Sequence, residues 1–200
     1  MAQANSGLFA TPEGQLSFCD SLFEKKSMDG VKFNFGCTII FDDRHRPFFE
    51  EIVRRVISMK WGDKGLRDFD KGLIRNPLLA GDGPQAHSKQ TGELWGGMGP
   101  GKFFIRPTAQ EDAQPQVYYR SKHLPAPREE IYAGVYGKGF LNAYTYDNPS
   151  GGRGVSFGIQ AFQKLRDGEP LGGRRPFDPD KWIVDIEDDG KPSDAVDVFG

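Results

Sequence analysis

Cysteine is nearly absent from the 200 residues: Cys19 and Cys37 are the two that occur, and they form no C-x-x-C pair. The three histidines (His45, His87 and His123) are scattered, so the sequence offers no zinc site, and a reduced thiol pair is favoured over a disulfide. No apolar run approaches the roughly 18 residues needed to cross a bilayer. The N-terminus also lacks a charged start followed by an apolar stretch. These absences predict a soluble, intracellular protein without membrane contact. Signatures of catalysis are missing as well. There is no G-x-S-x-G elbow, and no serine or cysteine stands in a setting that would activate it. Gly96 to Lys102 spells G-x-x-x-x-G-K, but Phe103 occupies the place where a phosphate loop needs Ser or Thr. The residues after Lys102 read as strand, where that loop needs a helix. The expectation is no enzyme and no cofactor.

Glycine and proline, by contrast, are plentiful at 26 and 14 residues, which favours short strands and many turns over long helices. Gly7 to Phe18 reads as strand, turn and strand, with Pro12-Glu13-Gly14 as the turn. Val31 to Phe41 alternates, with Val31, Phe33, Phe35, Cys37, Ile39 and Phe41 on the buried face. Pro47 to Lys60 is the one clear helix, with proline in its first turn, Glu50 and Glu51 near its positive end and Gly62 as a stop. Its apolar stripe runs through Phe48, Ile52 and Val56, with Phe49, Val53 and Ile57 beside it. Residues 62–101 read as loop, Lys102 to Arg106 as a short strand and Val117 to Arg120 as another. The resulting expectation is a mainly β protein: an OB-type five-stranded barrel with one principal helix, long loops and a disordered acidic C-terminal tail.

The most informative segment is Ile131 to Tyr146. Its even positions carry Tyr132, Tyr136, Lys138, Phe140, Tyr144 and Tyr146; its odd positions are small or apolar. Alternate side chains of a strand point to opposite faces, so the aromatics and the lysine share one face. A face of this kind suits stacking of nucleobases, although a strand packed on both sides would show the same pattern. Gly137 and Gly139 could place a bulge here and interrupt the alternation. After a turn at Asn148 to Gly154, Val155 to Arg166 returns as a second strand. Val155, Phe157, Ile159, Ala161 and Leu165 are expected on one face; Ser156, Gln160, Phe162, Lys164 and Arg166 on the other. The candidate nucleic-acid surface therefore comprises Tyr132, Tyr136, Lys138, Phe140, Tyr144, Tyr146, Phe162, Lys164 and Arg166. Lys32, Arg153, Arg174 and Arg175 are further candidate cations, and Trp95 could fold over a bound strand from its glycine-rich loop. Tyr136 and Phe140 are the first choices for stacking.

The net charge of −2 conceals segregation. From Asp185 onward six acids and one base give −5, which leaves 25 bases and 22 acids, or +3, on the preceding residues. The chain divides accordingly into a binding domain over 1–176 and a flexible tail over 177–200. Asp188, Asp189, Asp194 and Asp197 lead to Phe199, and an aromatic placed after acids suits a partner with a basic rim and an apolar pocket. Self-association into a homodimer is left open. Two other readings compete: an interaction or virion-associated protein whose aromatic face is a protein interface, and, more weakly, a magnesium-dependent nuclease or nucleotide hydrolase.

Several stretches in order resemble one family. They are Ala10-Thr11-Pro12-Glu13-Gly14-Gln15-Leu16-Ser17-Phe18, Trp61-Gly62-Asp63-Lys64, Tyr132-Ala133-Gly134, Asn142-Ala143-Tyr144-Thr145-Tyr146-Asp147-Asn148, Gly154-Val155-Ser156-Phe157-Gly158 and Gln163 to Gly173. Together they are similar to the OB-fold single-stranded DNA-binding proteins of tailed bacteriophages. The resemblance implies an OB barrel and sequence-tolerant binding of single strands in the host bacterial cytoplasm during phage replication and recombination. It also implies no catalytic residues, and an acidic tail that contacts phage or host replication and recombination proteins. Gly81 to Gly101 matches the pattern least.

Overall fold

Four phenylalanines distant in sequence meet at the centre of the molecule. Phe41 and Phe49 lie 4.8 Å apart between ring centroids, Phe41 and Phe103 5.4 Å, and Phe49 and Phe157 6.0 Å. The computed structural model that places them describes residues 3–27, 33–149 and 152–172. The acidic tail and the boundary expected at 177 lie outside the described residues, as do Lys32, Arg174 and Arg175.

The chain opens with β1 (Asn5–Ala10), β2 (Gly14–Ser17), β3 (Lys26–Ser27), β4 (Phe33–Gly36) and β5 (Thr38–Asp42), followed by α1 (Arg46–Asp70). Beyond the helix come β6 (Leu79–Ala80), β7 (Lys102–Ile105), β8 (Thr108–Ala109), β9 (Gln116–Tyr119) and β10 (Ser121–Pro125). The long hairpin of β11 (Tyr136–Asn148) and β12 (Gly152–Arg166) completes the sheet.

Most of these segments join into five barrel strands. Both β1 and β2 run antiparallel to β11, with Ala10 opposite Phe140 and Gly14 opposite Gly137. Pro12-Glu13-Gly14 is thus a bend within one barrel strand and not the reversal of a hairpin. A single register likewise carries β4–β5 against β7–β8, pairing Phe35 with Ala109, Gly36 with Thr108 and Ile39 with Ile105. Between them Cys37 N–H donates to Pro107 O at 3.2 Å, and proline has no N–H to return the bond. The circuit closes because β2 pairs β5, β8 lies parallel to β12, and β12 pairs β11. This is the expected barrel of the OB type, and α1 packs against β1, β11 and β12.

Helix α1 is longer than the predicted Pro47–Lys60. At Gly62 (φ 60°, ψ −155°) the chain leaves helical geometry, then continues helically to Asp70. Its buried side is Phe49, Ile52, Val53, Val56 and Ile57, while Phe48 and Met59 lie at exposed margins. Each fully buried aliphatic or aromatic side chain contributes roughly 1.5–3 kcal/mol. The 71–101 connection covers the other side of the barrel: Ala86 joins Ile40 and Phe104, with Leu79, Met98 and Leu171 packed against them. That cover buries both faces of β5, where alternation alone predicted one.

Candidate functional site

Along β11 the predicted alternation holds: residues 137, 139, 141, 143 and 145 are buried, and Tyr136, Lys138, Phe140, Asn142, Tyr144 and Tyr146 are half-buried on the opposite face. The strand begins at Tyr136, however, and Tyr132 is not part of it. Gly134 adopts φ 125°, which ends the extended run. Tyr132 lies in the preceding loop, packed against the core, and its hydroxyl reaches Asp167 Oδ1 and Gly168 O, both at 3.0 Å.

The two glycines expected to bulge β11 leave it regular; the extra residues fall in β12. Phe140 pairs with Ala161 but Leu141 with Ile159, so Gln160 has no partner, and Leu165 is skipped in the same way between Lys164 and Arg166. A one-residue slip exchanges the faces of a strand. After Gln160 the buried positions change from odd to even, and Phe162 (0% exposed) and Lys164 (2%) turn inward. This overturns their expected place on the outer face. Leu165, expected inside, is exposed. The Lys164 ammonium sits over the rings of Tyr119 (4.3 Å) and Tyr132 (5.5 Å) and pairs with Asp167 at 2.7 Å and Glu130 at 3.1 Å. Burial opposes its charge, but hydrogen bonds to Asp167 and Glu130 prevail and hold its pKa above the ordinary lysine value. The same contacts, with the Tyr132 hydroxyl, hold the Asp167 carboxyl below the usual carboxylate range.

The second slip returns Arg166 to the outer face opposite Tyr136. Its guanidinium lies 3.6 Å from the Tyr136 ring centroid and donates to Glu13 Oε1 at 2.6 Å. At this end of the hairpin, one face of the aromatic and the cation's charge are already engaged. Lys138 and Phe140 lie between this stack and the far end of β11, and Lys138 has no ion pair among the described residues.

The far end is open. Asn142, Tyr144, Tyr146, Ser156 and Gly158 floor a trough of about 720 Å³, with Asn5, Asn34, Thr108 and Gln110 among its other lining residues. Gly154 makes room for the Tyr146 ring, since a side chain there would overlap the phenol. Tyr146 and Ser156 also border a second hollow of about 510 Å³ that contains Arg75 and Arg106. Neither arginine has a carboxylate partner among the described residues; Arg106 donates to Gln85 O at 2.9 Å and lies over the Phe104 ring. Sequence reading missed Arg75, Arg106 and Asn34. Arg106 ends a predicted strand, but nothing local marks the other two.

The remaining candidates lie apart. Trp95 meets Phe18 edge-on at 5.1 Å, and both are partly exposed. Arg153 pairs with Asp68 at 3.0 Å near the Trp61 ring. Lys102 of the phosphate-loop lookalike donates to Gly97 O at 2.8 Å, closing its own loop, and it opens strand β7. Cys19 and Cys37 are buried free thiols, and burial pushes both pKa values up. No cluster suited to a metal ion occurs among the described residues.

The family described as "Enterobacter phage Enc34, ssDNA-binding protein" matches residues 11–189. Protein p50 of Acyrthosiphon pisum secondary endosymbiont phage 1 is 27% identical over 161 residues, covering 76% of this chain and 80% of its own. Among solved structures, the single-stranded DNA-binding protein of bacteriophage Enc34 in complex with ssDNA superposes with a TM-score of 0.60 at 17% identity. That match spans 84% of this chain and 90% of the other. The bacteriophage T7 single-stranded DNA-binding protein gp2.5 has a TM-score of 0.52 at 9% identity, over 96% of this chain and all of its own.

Proposed function

From the premise that this chain belongs to the family of the phage Enc34 ssDNA-binding protein, we propose that it binds single-stranded DNA without sequence preference and performs no covalent chemistry. The observation that carries this reading is the open trough bearing Tyr144 and Tyr146, which shares Tyr146 and Ser156 as lining residues with the hollow of Arg75 and Arg106. Aromatic faces stack on any base, and arginines with no carboxylate partner among the described residues are suited to neutralise phosphates. The strand runs along the outer face of β11, with Tyr144 and Tyr146 as the principal stacking residues. Phe140, Lys138, Tyr136 and Arg166 extend the track, and Trp95 contributes only if the strand reaches its loop. The biological role is protection of exposed strands during phage replication and recombination in the host cytoplasm. The segment from Asp185 to Gly200, with its excess of acids and Phe199 near its end, recruits protein partners.

Fluorescence anisotropy of labelled oligo-dT at several salt concentrations tests the central claim. Each phosphate contact adds about −0.7 to the slope of log K against log salt for a single strand, so Arg75 and Arg106 together supply roughly −1.4. Replacing both with alanine removes that share. No binding at low salt, or binding indifferent to salt, overturns the proposal.

A further inference from the structure

The two hollows differ sharply in chemistry. Among the described residues lining the trough not one is charged, whereas its neighbour holds two arginines. Amides and hydroxyls take the place of charge: Asn34 and Asn142 both line the trough, together with Thr108 and Ser156. Neither the Asn34 nor the Asn142 amide makes a hydrogen bond to another described residue. Gly158 leaves room for the Asn142 amide, because a Cβ there would stand 2.6 Å from its Oδ1.

Resting on the proposed binding of single strands, we propose that this trough recognises the unpaired Watson–Crick edges of bases, with Asn142 and Asn34 as the residues that select single strands over duplex. A carboxamide offers one acceptor and two donors side by side and, by turning over, presents either first. Every base edge likewise sets donors beside acceptors, so such an amide satisfies all four bases in turn. A lysine or a carboxylate in its place would favour particular bases. In duplex DNA these edges are consumed by pairing, so amide recognition gives strand-state selectivity without sequence selectivity. The labour is divided: Tyr144 stacks, the asparagines test whether the edge is free, and Arg75 with Arg106 hold the phosphate.

The probe is an oligonucleotide of N3-methylthymidine, which keeps sugar, phosphate and stacking face but blocks the pairing edge; plain oligo-dT is the reference. Wild-type protein should bind the methylated strand about three- to tenfold more weakly than oligo-dT, the range expected for one or two net hydrogen bonds. The Asn34→Ala, Asn142→Ala double variant should bind both strands alike, at the methylated-strand affinity and with an unchanged salt slope. Equal binding of the two strands by the wild type overturns edge recognition while leaving DNA binding intact. Failure to bind oligo-dT at all overturns the underlying proposal of DNA binding instead. A double variant that keeps the wild-type preference removes the assignment to these two residues, and circular dichroism of the variant establishes that it is folded.

Discussion

The two ends of the β11–β12 hairpin are built from the same materials and arranged differently. At one end Lys164 is enclosed by Tyr119 and Tyr132 and paired with Glu130 and Asp167; at the other, Tyr144 and Tyr146 face an open trough beside Arg75 and Arg106. Aromatics beside cations make a binding surface only where the protein has not already satisfied them. The Lys164 cage spends its charge on holding the 127–134 loop and the start of the exit segment against the barrel. The tyrosines of the trough stay open to solvent on their outer side. Tyr136 and Arg166 are intermediate, outward-facing but stacked on each other and tied to Glu13.

Phe162→Ala is the most severe way to break this difference. The ring is fully buried, on the side to which the unpaired Gln160 shifts the alternation. Removing it leaves a cavity at the filled end, at a cost of about 3–5 kcal/mol read as a lower urea midpoint. A midpoint close to wild type would show that this inward ring does not help to fill that end.

Next in size is Lys164 itself. Lys164→Ala removes the charge and the stem packed between the tyrosines, for a cost of about 2–4 kcal/mol. Lys164→Met keeps the packing and should cost roughly half of that, because Glu130 and Asp167 remain near enough to the surface to be solvated. Chemical denaturation of both variants measures the split. Equal losses would mean that the charge carries the whole effect. Neither variant should alter the salt dependence of oligo-dT binding, since Lys164 faces inward.

At the open end the effect moves from stability to binding. Tyr144→Ala and Tyr146→Ala should each weaken oligo-dT by about 1–3 kcal/mol, the range for loss of one stacked base. Tyr136→Ala should cost less, because Arg166 already occupies one of its faces. Anisotropy titrations alongside thermal melts check this ordering, and the melting temperatures of the trough variants should stay within a few degrees of wild type. A larger binding loss at Tyr136 would move the principal site to the Arg166 end.

Much of the hairpin and barrel is legible in the chain. The period of two along β11 reveals both faces, and Pro47 with Gly62 brackets the first helical segment. The alternation of Val31 to Phe41 reveals a barrel strand, although Phe33, expected on its buried face, is exposed. The bulge is hidden because glutamine suits either face, so nothing at position 160 announces that the register slips. Strict alternation misplaces Phe162 and Lys164 for that one reason. Arg75, Arg106 and Asn34 escape notice because they reach the two hollows by tertiary folding from separate segments, and no local pattern records such a meeting. Tyr132 is misplaced by continuing an alternation across Gly134, whose positive φ ends it.

The smallest expected effect is a pH dependence that separates the two ends. The Asp167 carboxyl is held below its ordinary range, so its stabilisation is present above the unfolded-state pKa and is lost as pH falls through the depressed folded value. Lys164 is held above its ordinary value; its share is present below the unfolded-state pKa and is lost as pH rises through the raised one. The cage should therefore contribute evenly across neutral pH and weaken at both extremes. Asp167 is exposed to solvent, so its acid limb should be shallow, and Asp167→Asn should flatten it further. The two hollows of the other end are lined by no carboxylate and no lysine among the described residues. Urea midpoints and oligo-dT affinities followed from acid to neutral pH would test the contrast. Stability should decline on the acid side for wild type more than for Asp167→Asn, while the two proteins keep the same affinity wherever both remain folded. An affinity difference between them would mean that the cage acts on the strand, and that the two ends are coupled.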